Sequence, residues 1–306
     1  MIVAEVIRSG FVESVHHGVV AVLGPSHPDS LGDVESPFFP RSSNKPLQTV
    51  GLLTAGLVPR EEADLAMMSG SHDAEPFHVE RVRAILAAAG LGPEALRCPA
   101  DLPHGTEARN AWLRGGGEAE PILMNCSGKH AGMLATCVVN GWPLETYLAV
   151  DHPLQQALAA AVSRLAGEPI AALGVDGCGA PIFAISPAGL ARAFQRLVDA
   201  EPGTPERRVA DAIRANPELL AGTATDDTVL MRAIPGLLVK KGADGVAAAA
   251  LPGVGAVALK ISDGAARARG PVLLAALRKL GVQVGDVLPE PVLGGGQPVG
   301  EVRAVF

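Results

Sequence analysis

The polar and apolar positions of this chain divide it into strand-like ends and a helical middle. Residues 2–8, rich in Val and Ile, read as a strand, and Phe11–His16 and Val19–Leu23 read as a hairpin turning at His17 and Gly18. The pattern breaks over residues 24–41, a Pro/Ser/Asp/Gly-rich loop. Helical spacing then begins, with Val50, Leu52, Leu53 and Leu57 in a run over 43–57. Residues 60–68 predict a short helix, with Pro59 before it and Glu61, Glu62 and Asp64 in its first turns. Pro76–Ala89 predicts an amphipathic helix stopped by Gly90. Residues 99–124 lack periodicity. A long helix is expected over His152–Ala166, with Leu154, Leu158, Ala161 and Leu165 on one stripe. Strand–turn–strand follows over 171–185. Helices are expected over about 187–199, 205–215 and 226–234. Strand-like segments Leu237–Lys241, Gly245–Leu251 and Gly255–Ile261 alternate with Gly-rich turns, and Ser262-Asp263-Gly264 leads into a helix ending at Leu280. The tail 286–300 is Gly/Pro-rich, with a last strand at Val302–Phe306.

Strands at both ends with helices between predict an α+β fold: a largely antiparallel sheet built from both chain ends, with an inserted helical region. We expect a single catalytic unit over 1–306. Residues about 1–42 and 171–306 carry the sheet, and about 43–170 are mainly helical.

Composition narrows the function classes. The chain is 48% hydrophobic and 19% charged, enough for a sizeable core. Net charge is −7 with no basic cluster, which points away from nucleic acid and anionic membrane surfaces. The N-terminus has no signal-peptide pattern, and no apolar run is long enough to span a bilayer, so a cytoplasmic location is expected. Of the 25 cationic side chains only six are lysines: 45, 129, 240, 241, 260 and 279. Lysine can lose its proton when buried and arginine cannot, so a lysine inside a polar motif here carries extra weight.

Six polar breaks offer chemistry. In Arg41-Ser42-Ser43-Asn44-Lys45-Pro46, Ser42 and Lys45 fall one turn apart at a helix start, where unpaired N–H groups favour developing negative charge. Ser69-Gly70-Ser71-His72 places a second hydroxyl and an imidazole at a bend; Asp73 and Glu75 add carboxylates able to hold a substrate amine. Cys126-Ser127-Gly128-Lys129-His130 opens a helix with thiol, amine and imidazole. Asp176-Gly177-Cys178 sits at a tight strand end, and Cys126 and Cys178 can meet as zinc ligands with His130 or Asp176. Lys240-Lys241-Gly242 ends an apolar strand, and Lys260-Ile261-Ser262-Asp263 repeats that theme. Cys98 and Cys137 have apolar company and read as core. Two serines and two lysines in polar breaks of a lysine-poor chain point to Ser–Lys acyl-transfer chemistry.

Together these motifs, with Asn125 opening the Cys126 block, resemble the rhizobial-type (class 3) L-asparaginases, collinearly from Glu13 to about residue 270. The resemblance implies a serine β-lactamase-like fold, similar to that of the Ser–Lys glutaminases. It implies hydrolysis of L-asparagine to L-aspartate and ammonia, one zinc per chain and a homodimer. It implies one Ser–Lys tandem of Ser42 and Lys45 and a second of Ser71 and Lys240, with Lys241 an open competitor. Cys126, Lys129 and Cys178 become the zinc ligands. Arg41, His72, Glu75, Asn125, His130, Asp176 and Lys260 become substrate-binding or supporting groups. Ser69 stands where that family often has cysteine. The alternatives are a glutaminase or related hydrolase of the same fold, or an inactive zinc-dependent amino-acid-binding protein.

Overall fold

The computed structural model describes residues 1–25, 30–285 and 287–306. Residues 26–29 of the expected 24–41 loop, and residue 286 of the tail, lie outside the described residues. Strand β1 (Ile2–Arg8) turns into β2 (Phe11–Leu23) through Ser9 and Gly10, both at positive φ. That two-residue turn matches the right-handed twist of the strands it joins. The expected hairpin at His17-Gly18 is therefore absent: β2 runs straight through it. Up to His17 it pairs with β1, and from Gly18 onward it pairs with β7 (Gly255–Ile261). Gly18 permits the change of partner, since a Cβ there would lie 2.7 Å from the Lys260 carbonyl.

A short hairpin, β3 (Ala172–Val175) and β4 (Pro181–Ala184), forms its own two-stranded sheet. Next come β5 (Leu238–Gly242) and β6 (Val246–Leu251), then β7. The tail holds β8 (Pro291–Gly294) and β9 (Gln297–Ala304), joined by Gly295 and Gly296 at positive φ. This Gly-Gly turn is the signal that the reading of 286–300 as plain tail passed over. The main sheet is antiparallel in the order β5-β6-β7-β2-β1-β9-β8. The chain's first and last strands thus lie side by side, so the fold is α+β with a sheet drawn from both ends.

β6 and β7 are buried along nearly their whole length, which suits their alanine-rich sequences. Helix Pro187–Asp199 packs on β2, β6 and β7, and helix Arg269–Lys279 packs on β7 and β9. Helix Lys45–Thr54 is the inner helix of the remaining layer, buried from Lys45 through Leu53. It packs closely on helix Pro153–Ala166 because Gly51 has no side chain: a Cβ there would come 2.9 Å from Leu158 Cδ2. Thr106–Arg114 is helical within the stretch read as irregular. No helix among the described residues is long and apolar enough to cross a membrane.

Candidate active site

The site forms where the start of the inner helix meets β5. Arg41–Asn44 is a single 3-10 turn leading directly into the helix at Lys45. Two ties hold this turn against β5. Ser43 Oγ donates to the Lys240 carbonyl at 2.8 Å. Gly242 leaves room for the Pro40 carbonyl, which a Cβ would approach to 2.7 Å. Arg41 has positive φ, an unusual conformation for a side-chain-bearing residue, and it sits immediately before Ser42.

Lys45 and Lys240 are both fully buried, and both reach Ser71. Lys45 Nζ donates to Ser71 Oγ at 2.9 Å and to the Gly70 carbonyl. Lys240 Nζ lies 3.2 Å from the same oxygen, donates to the Lys241 carbonyl at 2.8 Å, and has the buried Asp227 carboxylate 3.8 Å away. Ser71 thus bridges the two lysines. Of the two adjacent lysines it is Lys240 whose amine bonds Ser71, while the Lys241 backbone N–H donates to Asp227. Burial pushes Lys240 down to about 7, although Asp227 opposes this. Ser42, one turn from Lys45, is half-buried, and its hydroxyl bonds no described residue; Lys45 turns to Ser71 instead.

The Ser69 hydroxyl points away from this cluster and bonds Thr49 Oγ1 at 2.9 Å. His72 is buried and structural in its contacts. Its Nδ1 accepts from the Ala74 N–H, and its Nε2 lies 2.9 Å from Ser127 Oγ. Burial holds it well below the ordinary histidine range. Glu75 caps helix Pro76–Ala88 and takes both the Thr223 N–H and hydroxyl at 2.8 Å.

A second cluster adjoins the first. Cys126 caps helix Ser127–Asn140, and Lys129 and His130 occupy its first turn. Gly128 lets this helix start against the Met67 carbonyl, which a Cβ would approach to 2.5 Å. Gly128→Ala should cost about 1–3 kcal/mol of stability; an unchanged melting temperature would show that the helix start has slack. Lys129 Nζ lies 3.1 Å from Cys178 Sγ, and Cys126 Sγ lies 3.1 Å from Asn125 Oδ1. The Asn125 backbone carbonyl in turn accepts the His72 N–H. Cys178 is held far below the ordinary thiol range by the Cys126 thiol that donates to it, with Lys129 reinforcing the effect. Burial works against the Lys129 charge, but the two sulfurs and Asp176 outweigh it. His130 Nδ1 meets the Tyr147 hydroxyl at 2.6 Å, while its buried Nε2 has no hydrogen-bond partner among the described residues.

These donors suit zinc: two sulfurs, an amine and an orphaned imidazole nitrogen. No group of three or more His, Cys, Asp or Glu side chains is arranged as a metal cluster among the described residues. Cys98 and Cys137 are buried thiols, each raised by burial to about 12, with Cys178 adding to the rise at Cys98.

Arg41 and Lys260 form the rim. Arg41 Nε donates to Asp176 Oδ1 at 2.9 Å, and the guanidinium also reaches Asp244. Lys260 donates to the Asp244 carbonyl and bonds neither serine. Asp176 lies in the β3–β4 turn beside Cys178, so Arg41 ties the serine turn to the thiol turn. Sequence reasoning missed Asp227, Asp244 and Tyr147. Tyr147, the chain's one tyrosine, is completely buried, and its singularity was the available signal.

The chain matches the L-asparaginase II family over residues 4–304. It belongs to that family. No curated protein matches it. Among solved structures it is similar to Mglu in its tris and glutamate form, at 16% identity and a TM-score of 0.38. That match covers 92% of this chain and 64% of that one, so the chain spans just under two thirds of Mglu's length. It is also similar to EstCE1, a hydrolase with promiscuous acyltransferase activity, at 13% identity and a TM-score of 0.42, covering 91% and 92%. A β-lactamase from Desulfarculus baarsii DSM 2075 is similar at 19% identity and a TM-score of 0.35, covering 87% and 90%.

Proposed function

We propose that this protein hydrolyses L-asparagine to L-aspartate and ammonia through an acyl-enzyme on Ser42. The observation that carries this reading is the Lys45–Ser71–Lys240 bridge, a buried proton path ending one helical turn from Ser42. A proton passes from Lys45 to Ser71 Oγ as Ser71 gives its own to Lys240. Lys45 is then free to take the Ser42 proton while Ser42 Oγ attacks the side-chain amide carbon. The N–H of Ser42 faces the developing oxyanion at the helix start. Lys45 returns its proton to the leaving nitrogen, and ammonia departs. Water, deprotonated by Lys45, then attacks the ester carbon, and Lys45 passes that proton to the departing Ser42 Oγ as L-aspartate is released.

Ser42 suits attack because its hydroxyl is uncommitted, whereas Ser71 Oγ is engaged by both lysines. Bound zinc would supply a fixed positive charge to hold the substrate. Cys126, Lys129 and Cys178 would be its ligands, and His130 and Asp176 would support them. If zinc serves binding, chelation should raise KM for asparagine more than it lowers kcat. A fall in kcat at unchanged KM would contradict that role. A homodimer belongs to the same reading and rests on the family resemblance.

Ammonia release by purified protein from L-asparagine and L-glutamine tests the proposal. Release from asparagine supports it. Release mainly from glutamine keeps the chemistry and moves the substrate. Binding without release would favour the zinc-dependent binder.

A further inference from the structure

We propose that Asp73 is the residue that recognises the substrate's α-ammonium group and so restricts the site to free α-amino acids. The inference rests on the amidohydrolase reading above and adds the feature of the substrate that is selected.

The segment 71–73 is held in an extended course from both sides. Ser71 N and Asp73 N donate to the Leu220 and Ala221 carbonyls at 2.8 Å each, while His72 N donates in the other direction, to Asn125. In an extended chain, residues i and i+2 present their side chains on one face and i+1 on the opposite face. His72 accordingly points into the core at Ser127. Asp73 therefore shares the face of Ser71, whose hydroxyl meets both catalytic lysines. Two residues of extended chain span about 7 Å. An amino acid amide fits that span, with its amide carbon at the serines and its α-ammonium, three bonds away, at the carboxylate.

The Asp73 carboxylate is half-buried yet makes no hydrogen bond or ion pair with a described residue. The carboxylate is thus uncommitted within the protein and open to a cationic ligand. Its surroundings hold it in place. The Asp73 carbonyl accepts the Gly105 N–H at 3.0 Å. Gly105 and Gly222 form bare walls: a Cβ would come 2.8 Å from Asp73 Cβ at the first and 2.6 Å from Asp73 Oδ2 at the second. The Gly222 carbonyl is itself pinned by Thr228 Oγ1 at 2.7 Å. Burial raises Asp73 above the ordinary carboxylate range. His104 and Lys241 oppose the shift, and Glu75 and Asp227 add to it. Glu75, the other carboxylate of the motif, is unavailable because Thr223 takes both its oxygens.

The test compares L-asparagine with succinamic acid, the same amide lacking the α-amino group. Ammonia release is followed for wild type, Asp73→Asn and Gly222→Ala, with melting temperatures as the folding control. Wild type should favour asparagine by at least about 100-fold in kcat/KM. Asp73→Asn should lower the asparagine value about 100-fold and bring the two substrates to within about threefold of each other. Gly222→Ala crowds the carboxylate without removing it, so it should raise KM for asparagine more than for succinamic acid; it carries the test if Asp73→Asn fails to fold. Equal use of the two substrates by wild type, or an unchanged preference in both variants, would overturn the assignment. If wild type releases ammonia from neither compound, the amidohydrolase reading has failed, and calorimetry with the same two compounds decides about Asp73. Binding of asparagine alone, lost in Asp73→Asn, would sustain the ammonium site. Equal binding, or no binding of either, would overturn it.

Discussion

Ser42→Ala should abolish ammonia release, lowering kcat by about 10⁴ or more while leaving the fold intact. The expected size follows from chemistry: without the hydroxyl no ester forms, and only direct attack by water on a bound amide remains. The fold should survive because the Ser42 hydroxyl bonds no described residue. The turn is tied instead through Ser43 Oγ and the Pro40 carbonyl. Ser43→Ala is the informative contrast. It removes the tie to Lys240 but no reacting atom, so it should lower stability more than it lowers rate. A Ser42→Ala protein that turns over within tenfold of wild type would remove Ser42 from the nucleophile role and leave Ser71 as the candidate.

Lys240→Met should be nearly as damaging to rate, at about 10²–10⁴ in kcat, since the proton path loses its terminus. Below about pH 7, where Lys240 is charged, it should also destabilise the protein by roughly 3–5 kcal/mol, because the buried Asp227 loses its cationic neighbour. Adding Asp227→Asn should recover part of the stability and none of the rate, which separates the two effects. The pH profile carries the sign. Burial places Lys240 at about 7, so it is neutral above that pH and charged below it. An acceptor must be neutral, so kcat should rise with pH and level off above about 7, falling up to about tenfold per unit on the acid side. If Lys240 acted as a fixed positive charge, kcat would instead decline above 7. In Lys240→Met the limb near 7 should be absent; its persistence would assign it to another group.

Much of the site was legible because its residues travel in short polar strings set in an apolar chain. Cys126, Lys129 and His130 fall on the first turn of one helix, so their convergence follows from spacing. Cys178 joins them because the β3–β4 hairpin, read correctly as strand–turn–strand, brings its tight end to that helix. What spacing could not show was which partner each group takes. Lys45 was paired with Ser42 by proximity in sequence, but its amine reaches across to Ser71, a contact set by how helix Lys45–Thr54 packs against the 69–71 bend. His72 and Glu75 look like site chemistry in the sequence, yet their polar atoms serve Ser127, Ala74, Thr223 and a helix cap. Asp73 between them is left uncommitted.

The fold was legible where periodicity is strong, as in the long helix with His152 as its cap. It misled where glycine has two uses. Gly18 lets neighbouring backbone approach rather than making a turn, whereas Ser9-Gly10 and Gly295-Gly296 are true turns. The helix Thr106–Arg114 escaped notice because no residue of it is buried, so no apolar stripe announces it.

The most direct measurement is acid-quench mass spectrometry of the protein mixed with L-asparagine, followed by peptide mapping. We predict a covalent adduct with the mass of asparagine less ammonia, carried by the peptide containing Ser42 and absent in Ser42→Ala. An adduct on the Ser71 peptide would contradict the account, as would steady turnover with no adduct on either serine.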